Sequence, residues 1–150
     1  MPTRRVLLLL PLAVGACASL SGGQPLNVLL VGVESLGGEG FELRLAVKLR
    51  IQNPNATAID YDGVSLDLEV RGLDFASGVS DAAGSVPRFG EAVLTVPVSV
   101  SAAAMLKQAY SAIRGERGPI EFVAKGRLAG GPLGGVRFVS RGRFDWPAAP

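Results

Sequence analysis

Over residues 41–52 the chain alternates without a break. Phe41, Leu43, Leu45, Val47, Leu49 and Ile51 are apolar, and nearly every residue between them is charged or polar. A period of two is that of a strand with one buried face and one wet face. The same period recurs over residues 64–71. It returns with a more apolar filling over residues 92–101, where Leu94, Val96, Val98 and Val100 share a parity. Residues 120–128 and 136–146 predict two further strands. In the second of these Phe138, Phe144 and Trp146 take one parity, and Arg137, Arg141 and Arg143 take the other. Residues 26–34 and 73–77 predict two shorter strands.

One segment departs from this pattern. Residues 101–114 are rich in alanine and place Met105, Leu106, Ala109, Tyr110 and Ile113 at helical spacing. Ser101 suits the start of a helix and Gly115 its end. The spacing predicts one short helix near residues 102–114, its apolar stripe packed over an open end of the sheets. Ala102, Ala103 and Ala104 admit two readings: close helix-on-sheet packing, or room for a lipid between sheet and helix. Glycine and proline fill the joints, among them Gly37-Gly38, Asn53-Pro54-Asn55, Gly118-Pro119 and the run from Gly130 to Gly135. About seven short strands with such joints and one helix predict an all-β fold, an antiparallel β-sandwich.

The first residues follow a different plan. Arg4-Arg5 precede an apolar run from Val6 to Ala16 that closes on Cys17, the basic, apolar and small-residue order of a secretory signal peptide. The run is too short to span a bilayer, which takes roughly 20 apolar residues. Val14-Gly15-Ala16-Cys17 resembles the lipobox of bacterial lipoproteins. Residues 1–16 are then a lipoprotein signal peptide, residues 17–25 a linker lipidated at Cys17, and residues 26–147 a single folded domain. The plainer reading is an ordinary signal peptide that contains a cysteine. Against it, Cys17 is the one cysteine of the chain, so it has no internal disulfide partner in an exported, oxidising compartment. Lipidation removes that thiol, and two or more acyl chains give stable anchoring at about 0.8 kcal/mol per buried methylene. Ala18 follows the cysteine instead of the aspartate that retains lipoproteins in the inner membrane. The expected location is the bacterial cell envelope, on the periplasmic face of the outer membrane.

Loss of residues 1–16 also changes the charge. Fifteen basic residues face thirteen acidic ones in the full chain, and Arg4 and Arg5 leave with the leader, so the mature chain is formally neutral. Nucleic-acid binding thereby loses its electrostatic motive. The charge is uneven, with a balance of −5 over residues 27–91 and +5 over residues 114–143. Either the two halves pair across adjoining strands, or the basic half forms a face towards anionic lipid headgroups.

Several motifs in order resemble a known family. Leu49-Arg50-Ile51-Gln52 runs into Asn53-Pro54-Asn55, followed by Tyr61-Asp62-Gly63-Val64-Ser65, Phe75-Ala76-Ser77-Gly78-Val79-Ser80 and a strand from Gly90 to Val100. This set resembles the group 2 late-embryogenesis-abundant (LEA type 2) family, whose module is the water stress and hypersensitive response (WHy) domain. The resemblance implies an immunoglobulin/fibronectin-III-like sandwich and a role in desiccation or envelope-stress tolerance. Asn53, Pro54 and Asn55 are its signature turn, with a structural role. Proline fixes the first corner, while asparagine tolerates the second and bonds locally through its side chain.

Catalytic chemistry is sparse. The chain has no histidine, which removes histidine triads and imidazole metal sites. A lipidated Cys17 leaves no thiol nucleophile and no thiolate cluster. The glycine runs lack the lysine and the strand-to-helix context of a phosphate loop. Asp60, Asp62, Asp74 and Asp81 lie in separate turns without calcium-ligand spacing, and Asn55-Ala56-Thr57 is a glycosylation acceptor only outside bacteria. The chain is expected to be no enzyme and to need no metal or cofactor beyond the lipid on Cys17. Three functions remain: a lipid-anchored envelope protein protecting against water loss; an envelope binding module, either a lipid carrier or a protein adaptor; or a structural protein without a ligand, anchored as part of a larger assembly.

Overall fold

A computed structural model describes residues 23–115, 118–131 and 134–144. Every alternating segment forms a strand. In chain order the elements are β1 (Asn27–Gly37), β2 (Leu43–Gln52), β3 (Ile59–Tyr61), β4 (Gly63–Val70), β5 (Leu73–Ser80), β6 (Gly84–Val86), β7 (Glu91–Val100), α1 (Ala102–Ile113), β8 (Ile120–Ala129) and β9 (Val136–Phe144). Seven strands form one antiparallel sheet in the order β1-β2-β7-β5-β4-β8-β9, and β3 pairs with β6 beside it. The fold is all-β and sandwich-like, as the alternation predicts. The two additional strands are three residues long, too short for any period to show. The strand expected from Phe41 starts at Leu43, which leaves Phe41 exposed in the preceding hairpin. Cys17 and Trp146 lie outside the described residues.

The long sheet curls upon itself. β2 and β7 are in register from Leu43↔Val100 to Gln52↔Glu91, but β5 and β7 share only Ala76↔Val100 and Ser77↔Ser99. The sheet folds over at this short joint, and β1 returns against β9 on the other side. Two local features make the joint. The β4–β5 register shifts between Leu68 and Glu69, which leaves Phe75 as a bulge, and bulges sharpen the twist of a strand. Gly78 lets the two backbones cross, because a Cβ there would overlap the carbonyl oxygen of Pro97.

Inside the curl, the apolar parity of each strand becomes the core. Val47, Leu49 and Ile51 of β2, Leu66 of β4, Val96, Val98 and Val100 of β7 and Leu128 of β8 are fully buried. β8 and β9 lay aromatic rings over glycines, of which Phe138 belongs to the core and Phe122 is half-buried. Phe138 covers its register partner Gly126, and Phe122 covers Gly142. On the outer faces three ion pairs form among the described residues, of which the first joins the basic half to the acidic half and the other two lie within the acidic half. Lys125 on β8 bonds Glu69 on β4, Lys48 on β2 bonds Glu34 on β1, and Arg50 on β2 lies 3.9 Å from Glu91 on β7. Arg137, Arg141 and Arg143 of β9 are exposed.

The helix forms where the spacing predicts it, capped by the Ser101 hydroxyl, which accepts from the Ala104 N–H at 3.2 Å. Its orientation is a correction. Ala104 is its buried residue and Met105 packs against the core, whereas Leu106, Ala109, Tyr110 and Ile113 face outward. Two contacts set this rotation. The short Ala104 side chain brings the helix close to the sheet, and the Gln108 amide donates to the Val70 carbonyl at the end of β4, at 2.9 Å. Each alternative would bury a longer side chain and leave that carbonyl unmet.

Gly78→Ala is expected to cost about 2 kcal/mol or more in urea denaturation, the order of overpacking in a filled site. Gly118→Ala serves as control. A Cβ at Gly118 meets nothing within 4 Å, and that variant should unfold like the parent.

Candidate functional site

The Asn-Pro-Asn turn follows the last residue of β2 and forms the centre of one end of the sandwich. Asn53 is 2% exposed. Its side-chain amide donates to the carbonyls of Thr57 at 2.9 Å, Pro87 at 3.2 Å and Val86 at 3.5 Å. Its Oδ1 accepts the N–H of Asn55 at 3.0 Å, and its own N–H donates to the Gly90 carbonyl at 2.8 Å. One buried amide thus ties the loop after β2 to the turn between β6 and β7. Pro54 donates no hydrogen bond from its backbone nitrogen, so the turn keeps this pattern.

Asn55 works outward from the same centre. Its Oδ1 accepts the N–H of Gln24 at 2.7 Å, and its Nδ2 donates to the Gln24 carbonyl at 2.9 Å. Its carbonyl accepts the N–H of Phe89 at 3.1 Å. The local side-chain bond expected of the turn is therefore made by Asn53. The Asn55 side chain instead clamps a residue 31 positions earlier, with a backbone φ outside the left-handed region.

Pro87, Arg88, Phe89 and Gly90 form a turn closed by the Gly90 N–H donating to the Pro87 carbonyl at 3.1 Å. Phe89 holds its third position with φ of 51°, a place usually taken by glycine or asparagine. The residue is 73% exposed. Beside it lies an open depression of ≈ 430 Å³ lined by Gln52, Asn53, Phe89, Gly90 and Glu91. Nearby, Tyr61 is buried on β3 against Gly84 of β6, and that burial raises its phenol above the usual 10.0. Gln24 and Phe89 carry no periodic signal in the sequence, although the Pro-x-x-Gly spacing from Pro87 to Gly90 does mark a turn.

The candidate calcium aspartates stay apart. Asp60 is in β3, Asp62 between β3 and β4, Asp74 in β5 and Asp81 beyond its end. Among the described residues no group of three or more histidine, cysteine, aspartate or glutamate side chains is placed to hold a metal ion. No helix among them is long and apolar enough to cross a membrane.

Asn55→Ala removes both bonds to Gln24 and should cost about 1 kcal/mol, the order for partly exposed hydrogen bonds. In hydrogen exchange the Gln24 amide is expected to lose protection. The Phe89 amide, bonded to the Asn55 backbone, should keep it.

The comparisons follow this geometry. No curated protein matches the chain. In fold it is similar to a solution structure of a protein from Arabidopsis thaliana, at 16% identity and a TM-score of 0.57, over 81% of this chain and 82% of that one. It also aligns with a crystal structure of a protein from Archaeoglobus fulgidus, at 12% identity and a TM-score of 0.49, over 81% of this chain and 100% of that one. The likeness to the Arabidopsis thaliana structure speaks to the fold alone. A family model described as "Late embryogenesis abundant protein" matches residues 48–142, from the middle of β2 into β9 and through the Asn-Pro-Asn turn. The match takes in more than half of the 150 residues, and the chain belongs to the late embryogenesis abundant (LEA_2) family.

Proposed function

We propose that this chain is a WHy-type LEA domain held in a bacterial envelope by a lipid on Cys17, where it protects the membrane surface during water loss without catalysis. Membership of the late embryogenesis abundant family carries this reading. The anchor rests on the lipobox-like residues 14–17 and on the absence of any second cysteine. The protein works as a folded surface. Val47, Leu49, Ile51 and Leu66 are fully buried, so the domain cannot act as the flexible polar coil of a disordered protectant. No metal or cofactor enters this reading, and neither does nucleic acid, for which the neutral mature chain gives no electrostatic basis.

The second reading, an envelope binding module, is favoured by one observation: the apolar residues Leu106, Tyr110 and Ile113 of α1 face outward. A drying experiment separates the two. Vesicles carrying the full lipidated chain are dried and rehydrated beside vesicles with an equal mass of albumin. Protection predicts better retention of a trapped dye with the chain than with albumin, whereas equal retention leaves the binding module.

Fractionation tests the anchor separately. Cys17→Ser should move the protein from the membrane pellet to the soluble fraction with its melting temperature unchanged, because Cys17 precedes every element of the core. A variant that stays in the pellet at high salt would contradict lipid anchoring.

A further inference from the structure

We infer that the end of the sandwich bearing Asn55 and Phe89 faces the bilayer, and that Phe89 enters its headgroup–acyl boundary and fixes the orientation of the domain. The inference rests on the lipid anchor proposed above. Its first support is where the chain enters the fold. Gln24 is held at both backbone groups by the Asn55 side chain, at 2.7 and 2.9 Å. Seven residue steps separate it from Cys17, a reach of at most about 25 Å. The lipid is therefore tethered to this end of the domain.

The second support is Phe89 itself. It hangs on the same centre, its N–H donating to the Asn55 carbonyl. A large apolar residue stands 73% exposed on a left-handed backbone. Both features cost stability: the conformation is strained for a residue with a Cβ, and the ring is left in water. Folding alone gains nothing from phenylalanine there, whereas an apolar boundary beside the tether would receive it. Arg88, the preceding residue, is also exposed and suits a headgroup phosphate.

The geometry separates this end from the two most exposed apolar side chains of the other end. Phe41 and Ile113 lie at the opposite end, since β2 and β7 run from the Leu43↔Val100 pair, next to the first hairpin and α1, to the Gln52↔Glu91 pair beside the Asn-Pro-Asn turn. Ten strand residues span roughly 33 Å, more than the tether reaches. A domain standing on the Phe89 end therefore holds α1 clear of the membrane.

Tryptophan quenching tests the orientation. Trp146 is the only tryptophan, so F89W/W146F and I113W/W146F each report one position. The full chains are placed in phosphatidylcholine vesicles with brominated acyl chains. Emission from F89W/W146F is expected to fall by about half, because interfacial apolar groups sit roughly 5–10 Å into the headgroup–acyl boundary. Emission from I113W/W146F should stay unchanged. No quenching at position 89, or equal quenching at both, overturns the inference. Mass spectrometry of the N-terminal peptide reports the lipid independently. If it is missing, Cys17 is coupled to a maleimide-headgroup lipid and the quenching decides as before. Phe89→Asn supplies a second readout. It relieves the left-handed strain and should hold or raise the melting temperature, whereas a fall would give Phe89 a packing role and overturn the proposal.

Discussion

One buried amide governs the loop end of this protein. Asn53 sits where β2 runs out, and the carbonyls of Thr57, Val86 and Pro87 converge on its Nδ2. A buried carbonyl without a donor costs about 1–3 kcal/mol, and a single side chain answers several such demands at once. Only an amide fits. It offers two N–H donors to these carbonyls, and its oxygen accepts the Asn55 N–H. Asn55 extends the network to Gln24 and Phe89, so the entry of the chain into the sandwich is one connected set of hydrogen bonds.

A second constraint shapes the body. A single seven-stranded sheet becomes a sandwich because β5 and β7 share only two register pairs, with a bulge at Phe75 and a glycine crossing at Pro97. At the edge strand β1, register shifts leave Val31 and Leu36 out of the ladder. Such bulges twist an edge away from foreign strands. The charge halves meet where β4 and β8 adjoin, through Glu69 and Lys125. The exposed arginines of β9 continue the basic side to the other edge of the sheet.

Much of this was legible from alternation, because strands with one buried face must repeat every second residue. All seven long strands and the place of the helix follow from that period and from Ser101 and Gly115. Elements of three residues, β3 and β6, carry no period. The helix face was not legible either. Leu106, Tyr110 and Ile113 make the more apolar stripe, but the rotation of α1 is set by Ala104 and by a Gln108 bond to the distant Val70 carbonyl. The Asn-Pro-Asn turn was visible as a turn, yet the division of labour between its asparagines depends on Gln24, Pro87 and Phe89, contacts that no local spacing encodes. The glycine crossing at Gly78 was hidden in the same way, since Pro97 lies on another strand.

These constraints make the domain a folded surface, as the proposed role requires. The network that closes the sandwich also fixes where the chain enters it at Gln24, and Phe89 is bonded to the same asparagine. The most direct test is the unfolding free energy of Asn53→Asp, which keeps size and acceptor but removes both donors. Facing the three carbonyls, an ionised carboxylate should lower stability at pH 7 by about 2–4 kcal/mol, with the Asn55 and Phe89 amides losing exchange protection. A variant within about 0.5 kcal/mol of the parent, the range of an ordinary surface change, with those amides still protected, would contradict the central place of Asn53.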